Sequence, residues 1–102
     1  MSTPERPNPE PEPRFPLGQI LATPGALEAF SQAEQTPDEF LARHQVGDWG
    51  ELEEEDRMEN EFSVDRQLRI LSAYTLSTGV KVWVITEADR SATTVLLPQG
   101  AP

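Results

Sequence analysis

The stretch RILSAYTLSTGVKVWVITE, residues 69–87, constrains the fold more than any other part of the chain. β-Branched and aromatic side chains fill both halves, and the S-T-G between them supplies a glycine-bearing tight turn, the pattern of a β-hairpin. Alternation puts Val80, Val82 and Val84 on one face and Lys81, Trp83 and Ile85 on the other. ADRSA then makes a second connection, and TTVLLP makes a third strand that ends at Pro98. A three-stranded antiparallel meander is not stable bare, so the residues before it must cover one face.

Those residues carry helix signals. In PLGQILATPGALEAFSQAEQ, a short apolar stretch (Leu17, Ile20, Leu21) precedes Thr23 as N-cap and Pro24 at the first helical position. Leu27, Phe30, Ala26, Ala29 and Ala33 recur at helical spacing. Thr36, Pro37 and Glu39 repeat the signal as a T-x-x-E capping box for a second helix, PDEFLARHQ, with Phe40, Leu41 and His44 on one face and Gly47 as its stop. In ELEEEDRMENEFSVD the apolar residues Leu52, Met58 and Phe62 are sparse, which predicts a mostly solvated third helix over about residues 53–64. The reading is an α+β fold: an N-terminal helical hairpin and a weak third helix packed on a three-stranded antiparallel meander. One domain spans residues 17–98. Residues 1–16, which hold six of the ten prolines, form an extended, disordered tail.

A folded portion this small buries only about 60 to 65% of the surface its unfolded chain exposes, which leaves little room for a substrate cavity. The absence of cysteine removes disulfides, thiolate zinc sites and a cysteine nucleophile. With a single histidine, a transition-metal site would need carboxylates for nearly all its ligands, so neither a metal nor a cofactor is expected. No apolar run is long enough to span a bilayer, and the N-terminus lacks the basic patch and apolar stretch of a signal peptide. The expected location is the cytoplasm, away from the membrane.

The formal net charge of −10 disfavours nonspecific binding to nucleic acid and favours basic surfaces. Residues 48–65 hold Asp48, Glu51, Glu53, Glu54, Glu55, Asp56, Glu59, Glu61 and Asp65, half of the 18 acids, against Arg57 alone. This run reads as a solvated helix face, as a surface for a basic partner, or as a mimic of phosphate spacing. It lacks the alternating acids and central glycine of a calcium loop.

Three further groups invite a functional reading. His44 is the one side chain whose ordinary pKa lies near neutrality, so it is a candidate general acid or base; equally, a histidine in the last turn of a helix satisfies a terminal carbonyl. Trp49, between glycines in GDWG, is a partner-binding aromatic or an anchored turn with its ring docked on the sheet. TEADRSATT gathers Thr86, Glu87, Asp89, Arg90, Ser91, Thr93 and Thr94 where the second strand passes into the third. Arginine and hydroxyls at strand ends bind phosphate; alternatively Asp89 and Ser91 bond their own backbone in a turn and Arg90 pairs with a carboxylate.

FPLGQILATPGALEAF, EFLARHQVGDWGELEEEDR and RILSAYTLSTGVKVWVITEADRSATTVLLP together resemble a family of roughly hundred-residue bacterial proteins met on plasmids and other mobile elements, sometimes labelled plasmid-related or type I restriction methylase subunits. The methylase label finds no support in the residues, which contain neither a glycine-rich cofactor turn nor an N-P-P-[FY] motif. More loosely, a helix ending in histidine, an acidic connector, a V-x-V-x-x-E strand and a threonine-bearing strand are similar to the compact barnase, EndoU and RelE-like ribonucleases. That resemblance implies His44 as acid or base, Arg69 or Arg90 as phosphate ligand, and Thr93 or Thr94 as the late hydroxyl.

Two functions follow. The first is a small acidic interaction protein of a mobile element that binds a basic protein, such as a nucleic-acid-processing one, through Trp49, Glu53, Glu54, Glu55 and Asp56. The second is a metal-independent ribonuclease that acts on RNA through His44, Arg90 and Thr93 or Thr94. The excess of acids over the eight Lys and Arg favours the first.

Overall fold

The computed structural model describes residues 12–100. Strand β1 (Gln19–Ala22) is followed by helices α1 (Pro24–Ala33), α2 (Pro37–Gln45) and α3 (Glu54–Arg66), then strands β2 (Ile70–Thr75), β3 (Lys81–Thr86) and β4 (Ala92–Leu96) and a short 3-10 turn at Pro98–Gly100. The α+β class and the hairpin of β2 and β3 agree with the sequence reading. The sheet departs from it: four strands in the order β1-β4-β3-β2, with β1 parallel to β4, replace the antiparallel three. Thr93 and Thr94 fall opposite Ile20 and Leu21 in that pairing. The predicted tail falls mostly on residues 1–11, outside the described residues. Arg14 and Phe15 belong to the fold, since Phe15 is buried and Arg14 forms an ion pair with Glu61 at 2.7 Å.

Local chemistry sets the helix ends. Thr23 accepts from the Ala26 amide at 3.2 Å, and Pro24 opens α1 with no donor to lose. α2 begins after Thr36 as predicted, but the Thr36 hydroxyl makes no capping bond, and the Glu39 carboxylate accepts from Gln35 instead. Gly47, at φ 92, turns the chain out of α2.

Ala26, Ala29 and Phe30 of α1 and Phe40 and Leu41 of α2 pack on Tyr74, Val82, Val84 and Val95 of the sheet's inner face. Full burial of each large apolar side chain contributes roughly 1.5 to 3 kcal/mol. A second cluster, Phe15, Trp49 and Ile70 with Val64 of α3 at its margin, closes one end of the same face. No helix among the described residues is long and apolar enough to cross a membrane.

α3 does not follow the usual rule of burial. Its buried residues are Asn60 and Ser63, while Met58 and Phe62 are 64% and 50% exposed. Asn60 is turned inward because the free edge of β2 requires it: its amide donates to the Leu71 carbonyl at 2.6 Å and accepts from the Leu71 N–H at 3.3 Å. Two residues along, the backbone from Trp49 to Glu51 takes over, with Ala73 N–H bonded to the Trp49 carbonyl and Glu51 N–H to the Ala73 carbonyl. Side chain and loop together satisfy an edge that would otherwise pair with any passing strand.

Candidate functional site: a buried histidine and an acidic helix

His44 enters the core from the last turn of α2, and none of its surface meets solvent. Helical spacing from Phe40 and Leu41 points it at the sheet, where period-two alternation brings Ser72 of β2, Thr86 of β3 and Thr93 of β4 to the same inner face. Nδ1 lies 2.6 Å from the Ser72 hydroxyl and Nε2 lies 2.9 Å from that of Thr86. Thr86 lies 2.7 Å from Thr93, whose hydroxyl donates to the Leu17 carbonyl at 2.7 Å.

Proton counting orders this chain. A carbonyl only accepts, so Thr93 spends its proton on Leu17 and accepts from Thr86. Thr86 then accepts from Nε2–H, and Nδ1 accepts from Ser72. The histidine is therefore the neutral Nε2–H tautomer, with both nitrogens engaged. Burial drives its pKa down to about 4, and the nearby positive charge of Arg90 adds to the effect. Phe15 meets the ring edge-on at 5.2 Å and Trp49 at 5.9 Å, so the ring is walled in.

Arg90 stands at the end of this core. Its guanidinium donates to the carbonyls of Leu68 at 2.8 Å, Glu87 and Ala88 at 3.1 Å and Ser63 at 3.0 Å. It thus ties the last turn of α3 to the β3–β4 turn, where a cation also complements the helix dipole. Asp89 accepts from the Ser91 N–H at 3.0 Å, the backbone-bonded turn of the alternative reading, but Arg90 bonds backbone carbonyls where that reading paired it with a carboxylate.

The sequence-derived residues therefore divide. His44 and Thr93 are joined through Thr86, and Arg90 is close enough for its charge to be felt at the ring. Thr94 and Arg69 lie on the other side of the sheet, where Arg69 pairs with Glu87 at 3.1 Å. Trp49 is buried, with its indole N–H donating to Glu61 at 3.0 Å, and so offers no surface to a partner. Glu53, Glu54, Glu55 and Asp56 are exposed at the start of α3, and none belongs to an ion pair among the described residues. Ser72 and Asn60 carried no functional reading in the sequence. The one available signal for Ser72 was its register between Ile70 and Tyr74, a polar residue at a core position.

Comparison with family models, curated proteins and solved structures returns no match for the chain.

Proposed function

We propose that this is a small acidic interaction protein that binds a basic protein partner in the cytoplasm, through the outward face of α3. The observation that carries the reading is the reversed burial of that helix. Met58 and Phe62, four residues apart, share one side, with Glu54 and Glu55 a turn before them and Asp65 a turn after, all exposed. Arg66 covers part of the Phe62 ring at 3.9 Å. Two apolar anchors among carboxylates that form no ion pair among the described residues complement a groove or helix that carries apolar pockets between lysines and arginines. The plasmid and mobile-element resemblance fits such a role, because the nucleic-acid-processing proteins of a host are basic.

The ribonuclease reading draws on the link from His44 through Thr86 to Thr93. It has less support, because an RNA phosphate would reach the ring only after Phe15 and Trp49 moved aside, and Arg90 already donates to four carbonyls.

Selection of peptides from a display library on the immobilised protein tests the proposal. Enrichment of sequences with apolar residues spaced among Lys and Arg, lost in Met58→Ser/Phe62→Ser and weakened by salt and by Glu54→Lys/Glu55→Lys, is the expected result. Enrichment indifferent to both variants, or none at all, rejects it. Cleavage of RNA by the wild type but not by His44→Ala would replace it with the alternative.

A further inference from the structure

Residues 14–17, Arg-Phe-Pro-Leu, lie across the end of the core that holds His44 and belong to no helix or strand. Side chains of the fold hold them. Arg14 forks onto Glu61 of α3, its two terminal nitrogens donating to the two carboxylate oxygens at 3.1 and 2.7 Å, and its guanidinium lies over the Trp49 ring at 5.9 Å. The buried Phe15 ring stacks on Trp49 at 6.3 Å, meets His44 edge-on, packs on Ile70 and faces the Arg90 guanidinium at 5.6 Å. Gln45 grips the main chain twice: its carbonyl accepts from the Arg14 N–H at 2.8 Å, and its side-chain amide donates to the Phe15 carbonyl at 2.8 Å. Thr93 donates to the Leu17 carbonyl at 2.7 Å.

A fork for a guanidinium, a cage for a ring and side chains that cap backbone groups are the parts with which a folded surface reads an extended peptide. Each part is positioned by contacts outside the segment. The Trp49 indole N–H donates to Glu61, Gln45 closes α2, and Thr93 bonds Thr86. The segment suits the role of contents. Pro13 and Pro16 flank the Arg-Phe pair, which restricts the free chain and lowers the entropy lost on docking. Gly18 follows at φ 68, where a Cβ would collide with the Ser91 carbonyl, and the next N–H, of Gln19, donates to that carbonyl at 3.0 Å. A fixed hinge thus separates a four-residue strap from β1, and no strand pairing has to break when the strap lifts.

We infer that the groove formed by Gln45, Trp49, Glu61 and Thr93 is a binding site for peptides with arginine followed by an aromatic residue, and that residues 14–17 fill it in cis as a competing ligand. Trp49 is covered because the strap is in place. The external ligand is a positively charged segment of another protein, since the groove offers a carboxylate on a chain of net charge −10. The inference does not rest on the reading of the outward face of α3.

A fluorescein-labelled peptide of the strap's own sequence, Glu-Pro-Arg-Phe-Pro-Leu-Gly, titrated onto the full chain tests it. The tethered strap competes at high effective concentration, so Arg14→Ala/Phe15→Ala should bind the peptide about 10-fold or more tightly than wild type does. Alanine in place of the peptide's arginine or phenylalanine, or Glu61→Gln added to the double variant, should weaken binding by about the same factor. Met58→Ser/Phe62→Ser should leave it unchanged, which separates this groove from the outward face of α3. A folded double variant that binds nothing up to about 1 mM peptide overturns the inference. So does equal binding by wild type and variant, or binding indifferent to the alanine peptides. A wild-type dimer in sedimentation that the double variant loses also overturns it, and makes the strap of a second copy the occupant. If circular dichroism shows the double variant unfolded, hydrogen exchange of the wild type supplies the reading. The Trp49 indole N–H should exchange about 100-fold faster than the Val84 amide, because lifting the strap frees it while the sheet stays intact. Equal rates would show that the strap opens only with the whole fold, and would overturn the inference.

Discussion

Ser72 and His44, 28 residues apart in the chain, meet at 2.6 Å, and the hydroxyl's proton occupies the ring's one lone pair. This contact and the Nε2–H bond to Thr86 at 2.9 Å make the histidine a link between α2 and two strands. Replacing His44 with leucine keeps apolar volume but leaves Ser72 and Thr86 short of a partner inside the protein. The expected loss is about 3 kcal/mol, read as a lower urea midpoint at constant slope. A loss under about 1 kcal/mol would mean the polar chain is incidental to stability.

Stability should fall on mild acidification. His44 has a folded pKa of about 4 against an ordinary value of 6.5, so between those values the unfolded chain takes up a proton that the folded chain does not. The term is therefore fully present above about pH 6.5, declines as the pH drops toward 4, and is level below it. At about 1.4 kcal/mol per tenfold change in proton affinity the decline is of the order of 3 kcal/mol. Urea melts at closely spaced pH values, for wild type and for His44→Gln, isolate it. A wild-type curve parallel to that of the variant would refute the assignment.

Arg90 should not tolerate lysine. A single ammonium cannot donate to the Leu68, Glu87, Ala88 and Ser63 carbonyls together, so Arg90→Lys should cost about 2 kcal/mol. Amide exchange at the end of α3 and in the β3–β4 turn should quicken together. Unchanged exchange at both places would show that the guanidinium does not join them.

On α3, the usual rank of apolar over polar should invert. Asn60→Leu strands the Leu71 N–H and carbonyl, and about 2 kcal/mol should be lost with faster exchange at Leu71. Met58→Ser should stay within about 0.5 kcal/mol of wild type, because its side chain rests in water. Thermal melts of the two variants side by side give the comparison, and an equal or opposite ranking would contradict the described orientation of the helix.

Much of this architecture was legible in the residues. Thr23-Pro24 and Thr36-Pro37 mark helix starts because proline at the first turn loses no hydrogen bond, and VKVWVIT shows its two faces by alternation. β1 escaped because four residues, QILA, are too few to establish a period, and their partner β4 lies some seventy positions away. The orientation of α3 escaped for a different reason. Hydrophobic pattern finds buried faces only when burial is apolar, whereas Asn60 is inside to bond a strand edge. His44 was legible as a helix-end residue on the face of Phe40 and Leu41; its partners were not, since Ser72, Thr86 and Thr93 converge through strand pairing alone.

The closure of β2 by Asn60 and the Trp49–Glu51 backbone gives the sheet a polarity of growth. Among the described residues, β1 keeps the sheet's open edge, with Ile20 exposed beside it. Any strand that joins this sheet in line must join at β1, and an edge-to-edge encounter between two copies would consume the open edge of both. Such a contact terminates at a pair, because one asparagine and a three-residue loop already occupy the opposite edge of each sheet.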